Sequence, residues 1–208
     1  RYLRYVGSSG SYCRVAELEF YGHAGEVKDR LFYQVTDIPT VSIHVQDEIS
    51  PQSKGVDYEA YITNIYEKGT LIQEYPILTR VRGNYSSTHP NKPYRVKFND
   101  DKKHHMLKDG NNESPVKAKK WVLVNSYRDK TLLRNPIAYN ISKRVGPTFT
   151  PWSQQVDLIL NGDYHGTYTL CDHVSVHSGR IDITEMDETD VEGENLTGGY
   201  FFEADNNY

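Results

Sequence analysis

The stretch "QVDLILNGDYHGTYTLCDHV", residues 155–174, contains the clearest folding signal of the chain. Two runs rich in apolar, β-branched and aromatic residues flank Asn161-Gly162, and Asn-Gly is the dipeptide that most strongly favours a two-residue β-hairpin turn. The stretch therefore predicts a strand, a tight turn and a second strand. Similar short patterns predict further strands along the chain, at residues 40–49, 56–67, 75–83, 92–98, 121–127 and 199–205.

A different period begins at Asp129, in the segment "DKTLLRNPIAYNISKRVG". Its apolar residues recur every four positions, at Leu133, Ile137, Ile141 and Val145. This spacing predicts a helix with one buried stripe, for which Asp129 is a suitable N-cap. Pro136 conflicts with it, because a proline inside a helix removes a backbone hydrogen bond. Either the helix begins near Pro136 or its first turn is a separate bend.

The order of these elements predicts the fold class. Several antiparallel strands precede one helix, and a hairpin, an acidic loop and a last strand follow it. This order favours an α+β fold in which the helix packs on a mostly antiparallel sheet.

Composition narrows the possible functions. The 208 residues include 24 Lys and Arg against 28 Asp and Glu, a net charge of −4, which argues against a nucleic-acid binder held by bulk positive charge. No apolar run approaches the roughly 20 residues that a membrane-spanning helix needs. The two cysteines, Cys13 and Cys171, form no metal-binding spacing, and we interpret each as a small buried apolar residue.

The first 22 residues carry a separate signal. They end in "CRVAELEFYG", which resembles the closing strands of a discoidin-like, galactose-binding-like β-sandwich. The resemblance implies that residues 1–22 are the tail of a preceding domain. Residues 23–39 are then a linker, and residues 40–208 form the main domain.

Four segments of the main domain share a second resemblance. They are "RGNYSSTHPNKPYRVKF" (82–98), "KKWVLVNSYRDKTLLRNPIAY" (119–139), "VDLILNGDYHGTYTL" (156–170) and "GGYFFEAD" (198–205). In this order they resemble the CotH kinase-like family, named for spore coat protein H. The resemblance implies the N-terminal lobe of an atypical, secreted protein kinase that uses ATP and Mg²⁺. Some relatives act instead as surface or invasion proteins.

The segment at residues 82–98 supplies the candidate nucleotide-binding residues. Phosphoryl transfer needs positive charge near the phosphates, and the resemblance implies Lys97 as the nucleotide lysine. Arg82 and Arg95 would add positive charge, and Gly83 would let the backbone approach the ligand closely. The alternative interpretation is that Arg95 and Lys97 are solvated charges that protect a sheet edge.

The last segment supplies the candidate metal ligands. The resemblance places a catalytic or metal-binding aspartate at Asp205, and Glu203 lies two residues earlier, on the same face of the predicted strand. Carboxylate oxygens are the ligands that Mg²⁺ prefers. The alternative is that Asp205 only initiates a turn.

Other matched positions have mainly structural interpretations. Asp129 suits a helix cap and Arg134 a carboxylate partner, whereas Asn135 could orient a loop or a nucleotide. Asp172 stands where the family usually has Glu. If residues 170–174 are the hinge between two lobes, their backbone would meet the adenine.

Two functions follow from these patterns. The first is the ATP-binding part of a secreted CotH-type kinase that phosphorylates Ser or Thr of coat or surface proteins outside the cell. The resemblance places a second metal-binding aspartate beyond Tyr208, so the 208-residue chain by itself is expected to be inactive. The alternative is an inert surface module that binds a carbohydrate or protein partner, which the 17 tyrosines and Asp172 favour.

Overall fold

A computed structural model describes residues 36–66, 70–106 and 116–202. Its strands are β1 (Thr40–Val45), β2 (Tyr58–Tyr66), β3 (Thr70–Val81), β4 (Tyr94–Phe98), β5 (Lys120–Val124), β6 (Ser153–Leu160) and β7 (Asp163–Asp172). They form a closed barrel in the order β1-β2-β3-β4-β5-β7-β6. The described residues also contain one α-helix, α1 (Arg134–Val145), and short 3₁₀ helices at Gln46–Glu48, Tyr85–Thr88 and Glu194–Thr197.

The barrel closes between β1 and β6, which run parallel with Thr40 opposite Asp157. The other neighbouring strands are antiparallel. The predicted hairpin turn strengthens the closure, because Asn161 donates its N–H to the carbonyl of Ile43 (2.9 Å) and its Oδ1 accepts the N–H of Val45 (2.8 Å). The Asn-Gly turn therefore joins β6 to β7 and also holds β1 in place.

The predicted fold class is wrong. The structure is mostly β, a closed seven-stranded barrel with one described helix, and not an α+β kinase-like lobe with a packed helix. Closure gives the sheet its own interior, so the inward side chains fill the core and no helix is needed to cover them. The largest fully buried side chains include Trp121, Tyr168, Phe98, Leu123 and Leu158.

One part of the outer wall is also covered. Successive residues of a strand point to opposite faces, and Trp121 and Leu123 of β5 belong to the interior core. Val122 between them therefore points outward, yet it is only 3% exposed. Cys171 lies opposite Val122 on β7 and is equally buried. The outer face of β5 and β7 is thus covered by other parts of the chain.

The helix packs differently from the prediction. The stripe expected to be buried is exposed, at Leu133 (51%), Ile137 (52%), Ile141 (56%) and Val145 (79%). The opposite side, which includes Tyr139 and Ser142, faces the barrel, and the Ser142 and Thr150 hydroxyls hydrogen-bond at 2.8 Å. The apolar spacing identified the helix correctly but not the face that it buries.

The start of α1 resolves the conflict at Pro136. The helix begins at Arg134, so Pro136 lies in its first turn, where its missing N–H costs no helical hydrogen bond. Residues 129–133 form a separate bend in which Leu132 has a φ of 58°. The Asp129 carboxylate accepts the N–H of Arg134 at 2.8 Å, so it stabilises the helix start from five residues away.

Some predictions lie at or beyond the edge of the described residues. Residues 1–22 and most of the predicted linker are outside them, so the preceding discoidin-like domain is not shown. Residues 199–202 of the predicted last strand have no strand structure, and residues 203–205 lie outside the described residues. Within the described ranges, no helix has the length and apolar character to cross a membrane.

Candidate functional site

A cavity of about 600 Å³ lies against the covered outer wall of the barrel. Its lining comes from six separate parts of the chain: the residue after β3, the outer face of β5, α1, residue 151, residues 171–174 at the end of β7 and after it, and residues 201–202. The lining residues are Arg82, Val122, Val124, Tyr139, Pro151, Cys171, Asp172, His173, Val174, Phe201 and Phe202. The volume is within the range of about 300–1,000 Å³ typical of small-molecule sites.

Arg82 brings a positive charge to this cavity. It follows β3, and its N–H donates to the carbonyl of Pro93 at 3.0 Å, which fixes the start of the loop that leads to β4. Among the described residues, no carboxylate forms an ion pair with its guanidinium. Its charge acts on Tyr139, Cys171 and His173. Within the described part of the chain, no carboxylate therefore competes with an anionic ligand for Arg82.

Gly83 has a conformational reason to be glycine. Its φ is +83°, and a Cβ built there would collide with Oγ of Ser86. Gly83 makes the turn that follows Arg82, but it does not line the cavity itself.

Arg95 and Lys97 lie outside the cavity lining. They alternate with the buried Tyr94, Val96 and Phe98, so they point outward from β4. Nη2 of Arg95 is 2.7 Å from Oδ1 of Asp57, a carboxylate that it shares with Arg80. Lys97 lies opposite Lys120 of β5.

The candidate metal ligands Glu203 and Asp205 lie outside the described residues. Their neighbours Phe201 and Phe202 line the cavity, so the chain reaches it immediately before the two carboxylates. Within residues 36–66, 70–106 and 116–202, no group of three His, Cys, Asp or Glu side chains could hold a metal ion.

Tyr139 and Cys171 form one wall of the cavity. The Tyr139 hydroxyl hydrogen-bonds the Cys171 thiol. Burial raises the pKa of the Cys171 thiol to about 11 and that of the Tyr139 phenol to about 12. Both groups are neutral at physiological pH, so the thiol is a wall residue and not a nucleophile. This agrees with our interpretation of Cys171 as a buried apolar residue.

The carboxylate of Asp172 is already engaged. Its Oδ1 is 3.0 Å from Nη2 of Arg180, and its Oδ2 accepts the N–H of Trp152 at 3.0 Å. Burial raises the pKa of this carboxyl, although the Arg180 charge opposes the rise. Asp172 therefore anchors the segment that follows β7.

His173 is the second basic side chain of the cavity. Burial lowers the pKa of its imidazole to about 4, and the charges of Lys120, Arg180 and Arg82 act in the same direction, against a backbone hydrogen bond at Val174 that favours the protonated ring. Its Nδ1 is buried and has no hydrogen-bond partner in the described part of the chain. The free protein thus holds a neutral imidazole among three cations.

The structure brings together only part of the predicted site. Arg82 and the end of the predicted hinge segment, Cys171–Val174, meet in the cavity, whereas Lys97 and Arg95 lie apart from it. The sequence patterns did not indicate Tyr139, Phe201 or Phe202 as lining residues, and they indicated His173 only through its backbone, as part of the hinge segment. Tyr139 and the two phenylalanines lie inside segments that resemble the family, and this was the feature of the sequence that could have identified them as lining residues.

Comparison with known families gives one match. The model described as CotH kinase protein matches residues 79–207, which is more than half of the chain. The matched range begins within β3 and includes every residue that lines the cavity. No curated protein matches the chain.

Proposed function

The chain belongs to the CotH kinase family, and on this basis we propose that it is the ATP-binding part of a secreted atypical protein kinase. The proposed reaction transfers the γ-phosphoryl group of ATP to Ser or Thr of coat or surface proteins outside the cell. ATP supplies the phosphoryl group, and Mg²⁺ neutralises the charge that develops on it.

The observation that carries this proposal is the convergence of the family motifs on one cavity. Arg82 comes from the first motif, Val122 and Tyr139 from the second, and Phe201 from the last. Cys171 directly follows the third. These residues are far apart in sequence, and the fold places them around one space of about 600 Å³.

The lining suits the two halves of a nucleotide. Val122, Val124 and Phe201 offer apolar surface to a planar base, which a small-molecule site typically buries against apolar and aromatic side chains. Arg82 offers a guanidinium without an ion-pair partner among the described residues, and guanidinium binds phosphate oxygens bidentately. The residues present therefore fit ATP.

We assign roles in nucleotide or metal binding to the remaining candidate residues from the charges of their side chains. Lys97 points outward beside Lys120, whose charge reaches His173 of the cavity, so we assign Lys97 a supporting positive charge and not a direct phosphate contact. Arg95 is the weaker candidate for phosphate binding, because the Asp57 carboxylate already forms an ion pair with it. Glu203 and Asp205 would hold Mg²⁺, since hard cations prefer carboxylate oxygens.

Calorimetric titration of the 208-residue chain with ATP and Mg²⁺ tests this function. We expect saturable binding, and Arg82→Ala should weaken it about tenfold or more, because a charge-assisted hydrogen bond is worth about 1.5–3 kcal/mol. Arg144→Ala is the matched control, since Arg144 is an exposed helix arginine away from the cavity. An absence of binding, or equal affinity in the two variants, contradicts the proposal.

One observation favours a second candidate, an inert surface module that binds a partner. His89 lies between Tyr85 and Tyr127, with ring centroids 5.1 Å from each. Arg128 lies over the Tyr85 ring and Lys130 over the Tyr127 ring. Exposed Tyr and Arg are enriched at protein interfaces. A chain that binds no ATP would favour this candidate.

A further inference from the structure

We propose that His173 is a ligand of the nucleotide phosphates and takes up a proton when they bind. This inference rests on the proposed ATP-binding function. His173 would thereby make nucleotide affinity depend on pH in this member of the family.

The position of His173 supports this role. It lines the cavity, and cations from three elements act on it: Lys120 at the start of β5, Arg180 in the segment after β7, and Arg82 after β3. Buried polar atoms normally have a hydrogen-bond partner. Nδ1 of His173 is buried and has none in the described ranges, whereas the ring hydrogen-bonds the backbone of Val174. A phosphate oxygen that reaches Nδ1 would give it the partner that it lacks.

The charges around His173 are unbalanced in the free protein. Asp172 is the adjacent carboxylate, and Arg180 already binds it at 3.0 Å. Across the described residues, neither Arg82 nor Lys120 forms an ion pair. Tyr139 and Cys171 complete the wall as neutral groups, so among the described residues more cations than free carboxylates act on the imidazole.

An anionic ligand would reverse this balance. Burial and the three cations disfavour the imidazolium form of His173 in the free protein. A bound triphosphate neutralises those cations and gives an imidazolium a direct partner, which favours protonation. Proton binding and nucleotide binding then strengthen each other, so affinity rises as the pH falls.

The test compares the wild type with His173→Gln, which keeps a hydrogen-bonding side chain but cannot titrate. ATP is titrated with Mg²⁺ at about pH 6 in two buffers of different ionisation enthalpy, which gives the number of protons taken up. We expect ATP to bind both proteins, and the wild type to take up a large part of one additional proton. Adenosine, which lacks phosphate, should give no difference between the two proteins.

A second measurement does not depend on the variant. In the wild type with ¹³C-labelled histidine, the His173 resonance should report a neutral ring at pH 6 without ATP and a protonated ring with it. Equal proton uptake by the two proteins while ATP still binds, or a ring that stays neutral in the complex, overturns this inference alone. If ATP binds neither protein, the proposed function fails, and the inference fails with it.

Discussion

The hydroxyl of Tyr139 on α1 hydrogen-bonds the thiol of Cys171 on β7. This contact ties the helix to the outer wall of the barrel, and both residues line the cavity. It helps to explain how a helix with an exposed apolar stripe is held in place, because this contact and the Ser142–Thr150 hydrogen bond both lie on its other side.

Removing the Tyr139 hydroxyl should weaken this attachment. We expect Tyr139→Phe to lower the free energy of unfolding by about 0.5–1.5 kcal/mol, the usual worth of one hydrogen bond. Tyr127→Phe is the control, because Tyr127 is exposed. Urea unfolding measures both, and an equal loss in the two variants would mean that the contact does not stabilise the chain.

Asp157 should be the main polar support of barrel closure. Its fully buried carboxylate accepts hydrogen bonds from the hydroxyls of Thr36 (2.6 Å), Tyr164 (3.1 Å) and Thr167 (3.0 Å). Asp157→Ala leaves these donors without an acceptor, so the free energy of unfolding should fall by about 2 kcal/mol or more.

Asp101→Ala is the control for this change, since Asp101 is an exposed aspartate. We expect it to alter the urea midpoint little. Similar midpoints for the two variants would exclude a role for Asp157 in closure.

Substitutions in the barrel interior and on the exposed stripe of α1 should change the free energy of unfolding by different amounts. Leu158→Ala removes a fully buried barrel side chain and should cost about 2–5 kcal/mol. Ile137→Ser changes the exposed stripe of α1 and should cost less than about 0.5 kcal/mol. Denaturant unfolding separates these cases, and a large loss in Ile137→Ser would mean that the stripe is buried after all.

How far the sequence predicts this molecule depends on the range of each interaction. Asn161-Gly162 is a local signal, with φ values of 53° and 83° that suit the predicted turn. The parallel pairing of Thr40 with Asp157 has no local signal, because nothing near Thr40 indicates which distant strand it meets. The sequence therefore predicted the seven strands of the barrel but not its closure, and the described part of the last predicted strand, residues 199–202, has no strand structure.

The residues of the candidate site were likewise predictable only where the signal is local in sequence. Arg82 was predicted because its motif is contiguous. His173 was predicted only as part of the hinge backbone, because the role of its side chain depends on Lys120 and Arg180, which the fold brings near it. Ile137 has helical spacing, but spacing alone does not show whether a covering surface exists.

The low pKa of His173 also predicts how stability varies with pH. Its folded-state value of about 4 is below the ordinary 6.5, so between these pH values the unfolded chain binds more protons. The free protein should therefore lose stability as the pH falls from 6.5 towards 4.

His173→Gln isolates this contribution, because burial also lowers the pKa values of His165 and His177. Urea unfolding at several pH values should show a shallower loss in the variant than in the wild type. Parallel pH profiles would mean that His173 is not buried as a neutral imidazole.

A crystal structure of the 208-residue chain with Mg²⁺ and a non-hydrolysable ATP analogue is the most direct measurement. We predict the base against Val122 and Phe201, with the phosphates at Arg82 and His173. An analogue bound elsewhere on the barrel, or a cavity that remains empty at saturating analogue, would contradict the assignment of this cavity as the nucleotide site.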